Sequence, residues 1–200
     1  MLKLLRNTLG ECSLILDGNG GTVDWKYLTL LQELQENEGL HLGNKIRKAH
    51  VYFGKQKMKV KLAVQILSKS VADALNFCRE ELDLPAFRNS KPTAGFLIML
   101  NNTFDILNSH NLSDFGLKRA LCESNWNLIQ ETVSSSISYI ISLKLPSGEL
   151  LVEHRRKTGF VGLIVCLKNL NFIYTHFIET NKLHYVSIYK LNQDHLELYF

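Results

Sequence analysis

The sequence has little proline. Only Pro85, Pro92 and Pro146 occur in 200 residues. Many-turned β architectures spend proline and glycine at their turns, so this scarcity favours helices. Paired cysteines are missing as well. Cys12, Cys78, Cys122 and Cys166 stand far apart, no Cys-x-x-Cys occurs and no histidine follows at finger spacing. That excludes a zinc-finger reading. Met1–Asn7 shows no leader with a small-residue cleavage site, so the thiols are expected to be buried and reduced. The longest apolar run, Phe160–Leu167, falls short of the roughly 20 residues of a membrane span, and no membrane partner is expected. Acid is also absent over a long stretch, since no Asp or Glu occurs between Glu38 and Asp73.

What is present is ordinary for a globular chain: 46% hydrophobic residues, 21% charged, and a net charge of +4. Two hundred residues make one domain, or one and a half. A chain of this size buries about 70% of its unfolded surface. The acid-free stretch holds Lys45, Arg47, Lys48, Lys55, Lys57, Lys59, Lys61 and Lys69, and a second basic knot is His154-Arg155-Arg156-Lys157. Such patches attract the phosphates of a nucleic acid or a nucleotide, or else form a solvated face.

Periodicity predicts helices over 25–36 (capped by Asp24), 58–79, 93–107, 124–143 and 160–180. The last is apolar almost all round in its first half and is expected to be buried. Ser13–Leu16 and Leu183–Tyr189 are the strand candidates. Gly18-Asn19-Gly20-Gly21 and Pro146-Ser147-Gly148 read as turns. The fold class expected is mainly α.

Three constellations carry chemistry. Asp17-Gly18-Asn19-Gly20-Gly21-Thr22 invites a phosphate-loop reading, but no Gly-Lys-Ser/Thr follows and a plain turn is preferred. Asp105 and Asn108 lie three apart at a helix end, where they either read a purine edge or ribose, or close the helix. Asp194 and Glu197 lie three apart near the C-terminus, as a divalent-metal pair or as a cap with its partner.

Six strings in order resemble P-element-type DNA transposases, including those that carry a THAP-type zinc finger. They are Met1-Leu2-Lys3-Leu4-Leu5-Arg6-Asn7, Gly39-Leu40-His41-Leu42-Gly43-Asn44-Lys45, the stretch Met58–Ala72, Phe104-Asp105-Ile106-Leu107-Asn108-Ser109, His154–Phe160 and Gln193-Asp194-His195-Leu196-Glu197. The resemblance implies a remnant of an RNase H-like α/β core at 1–16, a helical GTP-binding insertion domain over 17–157, and the end of the insertion with the start of the C-terminal RNase H-like part at 158–200. Carried over by position, it makes Glu197 the third catalytic carboxylate and a metal ligand, with Asp194 beside it near the nucleotide. Lys45, Lys59 and Val60 become nucleotide contacts, and Asp105 with Asn108 the guanine-side reader. GTP and Mg²⁺ are the cofactors implied, GTP and DNA the partners, and the nucleus the location; a homo-oligomer is left open.

In such transposases two Asp and one Glu clamp two metal ions around an in-line displacement. The resemblance supplies only Glu197 of the three, so this chain is expected to be a truncated transposase without enzymatic activity of its own. The alternative is a non-enzymatic helical interaction protein from a decayed transposase. In that reading Met1–Leu9 is an exposed apolar strip.

Overall fold

The computed structural model describes residues 1–40 and 42–191. His41 and the pair Asp194 and Glu197 lie outside the described residues. The chain divides into two compact units: Met1–Asn101 with Tyr139–Gly162, and Asn102–Ser138 with the residues from Leu163 on.

In the first unit, Leu2, Leu5 and Leu9 recur at helical spacing and are buried on one face of α1 (Leu2–Cys12). The exposed apolar strip expected at Met1–Leu9 is therefore corrected: of its leucines, only Leu4 remains exposed. Burying Leu5 and Leu9 contributes roughly 1.5–3 kcal/mol each. Gly159 explains how closely the first turn of α1 is approached, because a Cβ there would lie 3.1 Å from the Leu5 backbone nitrogen. A two-stranded antiparallel hairpin follows, β1 (Leu14–Leu16) with β2 (Thr22–Asp24), in register Ile15 opposite Val23. Its loop is the plain turn expected: Asp17 Oδ1 accepts the amides of Asn19 (2.9 Å) and Gly21 (2.6 Å). Leu16 also exchanges backbone bonds with Lys144, which bridges on to Leu150.

The helix α2 (Lys26–Glu38) starts where Asp24 Oδ1 accepts the Lys26 amide at 2.8 Å, and it stops at Gly39 with φ 65°. The helix expected over 58–79 is two helices, α4 (Val60–Ile66) and α5 (Lys69–Glu80), preceded by the short α3 (Lys48–Val51). Ser68 makes the break. Its backbone is extended and its hydroxyl donates to the Gln65 carbonyl at 2.8 Å, a bond that competes with helix continuation. The Lys69 amide is taken by Asn101 Oδ1 at 3.1 Å. The start of α6 (Lys91–Leu107) adds Phe96 and Leu97 to a core that also holds Leu28, Leu31, Ile46, Ile66 and Leu75.

The second unit takes the end of α6, most of α7 (Trp126–Ser142) and most of α8 (Thr158–Ile173). The helix α8 runs on as a π-helical turn, Tyr174–Glu179. Trp126 and Tyr174 stack with centroids 4.1 Å apart. The strand expected at Leu183–Tyr189 reduces to one bridge, Val186 with Leu121, before a 3₁₀ turn at Ile188–Leu191. α8 is not buried all round. Leu163, Leu167 and Leu170 face inward while Val165 and Phe172 are exposed. The combined segment Thr158–Glu179 is, by length and composition alone, apolar enough to cross a bilayer. Its buried leucine stripe is that of a packed helix.

Candidate nucleotide and phosphate site

The acid-free stretch falls in the first unit, and the structure sorts its cations into two groups. Lys48 pairs with Glu36 at 2.8 Å, Lys57 with Glu11 at 2.6 Å, and Lys69 with Asp73 at 2.7 Å. The Glu36 carboxyl is held below its ordinary range by the bond from Lys48, whose own ammonium is raised in turn. Among the described residues, Lys45, Arg47, Lys55, Lys59 and Lys61 have no ion-pair partner, and all five are exposed.

Lys45 is held outward by its neighbours. Asn44, buried, donates to Gln35 Oε1 at 2.8 Å and accepts the Ile46 amide at 3.0 Å, while the Leu42 amide also donates to Gln35 Oε1 at 2.9 Å. The loop on which Lys45 rides is thus fastened on both sides by one buried amide pair. Lys59 precedes α4 in extended backbone, and Val60, half exposed, is the first residue of that helix. The helices that follow these two lysines, α3 and α4, pack on each other. Buried His50 links them: its Nδ1 accepts the Arg47 amide at 3.1 Å, which leaves Nε2 to donate to Gln65 Oε1 at 2.9 Å.

Asp105 and Asn108 belong to the second unit. Asp105 is half-buried in the last turns of α6. Asn108 follows the helix end, where its side-chain amide donates to the Phe104 carbonyl at 3.0 Å. That bond occupies the amide and leaves the Asn108 carbonyl oxygen outside it. Among the described residues no cluster of three His, Cys, Asp or Glu side chains is arranged to hold a metal.

Sequence reasoning missed one junction. Glu11, at the end of α1, meets Lys57 through one carboxylate oxygen and Arg156 through the other. The two basic stretches therefore converge on one acid. Beneath them lies Arg6, fully buried, whose Nη2 donates to the carbonyls of Lys57 (2.8 Å) and Gln56 (3.3 Å) and whose guanidinium sits 4.3 Å from the Phe53 ring centroid. Burial lowers its pKa from the ordinary value. Only alternation with buried leucines marks Arg6 in the sequence, and nothing there marks Glu11.

These features define a helical module with an anion-attracting, acid-poor face. The chain belongs to the family described as the TNP-like, GTP-binding insertion domain, whose model matches residues 1–120. It is similar to the DNA transposase THAP9 of Homo sapiens, 31% identical over 201 residues, and to the Transposable element P transposase of Drosophila melanogaster, 26% identical over 202 residues. Both similarities cover 100% of this chain, but only 22% and 26% of those proteins. The chain thus spans about a quarter of the length of the curated relatives it matches. Its fold is that of part of the Drosophila P element transposase strand transfer complex, with TM-score 0.80 at 24% identity over 99% of this chain and 43% of that one.

Proposed function

We propose that this chain is a GTP-binding module of a P-element-type transposase, one that works beside DNA in the nucleus. The observation that carries the reading is the group of exposed cations without ion-pair partners among the described residues, Lys45 and Lys59 with Arg47, Lys55 and Lys61, in a stretch that belongs to a GTP-binding insertion family. An ammonium left without a carboxylate is available to a phosphate oxygen, and charge-assisted bonds of this kind are about twice as strong as neutral ones. In this reading Lys45 and Lys59 take the triphosphate and Val60 contacts the nucleotide. Asp105 accepts from the guanine N1–H and N2–H₂, with Asn108 offering its free carbonyl oxygen beside it. Asp194 and Glu197, which lie outside the described residues, are proposed as a nucleotide contact and a Mg²⁺ ligand only by their positions in the sequence.

GTP supplies charge and shape here, and the chain's own residues do the holding. Of the three carboxylates that a two-metal site takes, only Glu197 is proposed within these 200 residues, so the isolated chain is proposed to have no strand-transfer activity. Calorimetry with GTP and ATP in the presence of Mg²⁺ tests the reading: GTP is expected to bind the more tightly, and equal affinity would remove the guanine reader. The exposed apolar residues Val165 and Phe172 on α8 favour a second reading, a helical interaction scaffold. It predicts that saturating GTP leaves the melting temperature unchanged.

A further inference from the structure

The junction at Glu11 offers a chemistry separate from the nucleotide site. Glu11 sets its two carboxylate oxygens against two cations from segments far apart in sequence, Lys57 on Oε1 and Arg156 on Oε2. The acid is the less exposed partner, with 23% of its side chain open to solvent against 49% for Lys57 and 38% for Arg156. Both cations are fixed from behind. The Lys57 carbonyl accepts from Arg6 Nη2 and Asn7 Nδ2, and the Arg156 carbonyl accepts from Thr8 Oγ1. Arg6 is fully buried and, among the described residues, bonds only to carbonyls and to Asn7, has no carboxylate partner and leaves its buried Nη1 unpaired. Arg155 is exposed; at Cys12, the residue after Glu11, burial pushes the thiol up and the Arg155 charge opposes that rise.

One carboxylate facing this many cations leaves the face positive, and a phosphodiester presents two non-bridging oxygens much as a carboxylate does. We propose that this face, Lys57 and Arg156 with Arg155 and the buried Arg6 behind them, is a docking surface for the phosphate backbone of duplex DNA, in which Glu11 holds the place of a phosphate until DNA displaces it. The charge complementarity carries no base information, so binding here is independent of sequence. The inference rests on the reading that the chain works beside DNA, but not on the nucleotide site.

The test is fluorescence anisotropy of a labelled random-sequence duplex with the whole 200-residue chain, from about 50 to about 200 mM salt, where each phosphate contact adds roughly 0.9 to the slope of log affinity against log salt. Glu11→Gln is expected to tighten binding several-fold. Lys57→Ala with Arg156→Ala is expected to weaken it and lower the slope by about 2. Arg155→Gln, on an exposed side chain with no structural contact to lose, should lower the slope by about 1, which keeps the test valid should the other variants fail to fold. In each variant GTP affinity by calorimetry should stay unchanged. Duplex binding with a slope that none of the variants moves would overturn this surface and leave the DNA reading standing. No duplex binding at the lowest salt would overturn both. A parallel loss of GTP affinity, with GTP displacing the duplex, would assign these cations to the nucleotide site instead.

Discussion

Arg6 Nη2 lies 2.8 Å from the carbonyl oxygen of Lys57, so a fully buried guanidinium holds the loop that joins α3 to α4. The same side chain donates to the Gln56 carbonyl at 3.3 Å. Removing it leaves buried acceptors without donors and a void beside Phe53. Arg6→Ala is expected to destabilise the chain by about 2–4 kcal/mol in urea unfolding, and Arg6→Lys by nearly as much, because an ammonium cannot reproduce the planar fork. A loss below about 0.5 kcal/mol would mean that the loop is held otherwise.

Asn44→Ala breaks the amide pair with Gln35 that fastens the Lys45 loop. The expected cost is about 1–3 kcal/mol of stability, since Gln35 is 2% exposed and its oxygen loses its Asn44 donor. Nucleotide affinity should fall as well, for ATP as much as for GTP, because Lys45 loses its presentation. Chemical denaturation and calorimetry on the same preparation check both effects.

Alkaline pH should weaken the fold. Burial raises the Cys78 thiol above its ordinary 9.0, and burial together with the Asp17 charge raises the Tyr139 phenol above its ordinary 10.0. Above those ordinary values the unfolded chain gives up protons that the folded chain retains, so unfolding gains the ionisation energy and stability falls. Near pH 7, well below both ordinary values, neither group contributes to a change. Urea midpoints at pH 8 and pH 10.5 check the sign: a midpoint that rises with pH would contradict it.

Much of the helical architecture was legible because apolar residues recur at helical spacing along α2, α6 and α7, and Asp24 marks the start of α2 as a cap. The break at Ser68 was not, because the apolar stripe continues through it and only the hydroxyl's bond to Gln65 turns the chain. The half-exposed state of α8 escaped for a related reason: in the sequence Phe172 and Val165 look like core residues, and only the fold shows them exposed. At the site, the excess of cations was plain in the sequence, but which of them are neutralised was not. Glu11 meets Lys57 and Arg156 only through folding, and such long-range pairs leave no periodic signal.

Lys59→Ala should weaken GTP and ATP alike by about ten- to a hundredfold, the equivalent of one charge-assisted bond of about 1.5–3 kcal/mol. The most direct test of the central claim is calorimetric titration of GTP and ATP into the chain with Mg²⁺, with and without Asp105→Ala. The native chain is expected to prefer GTP, and Asp105→Ala to abolish this preference while leaving ATP affinity unchanged. Native binding that does not distinguish the two nucleotides, or a preference that survives Asp105→Ala, would contradict the claim.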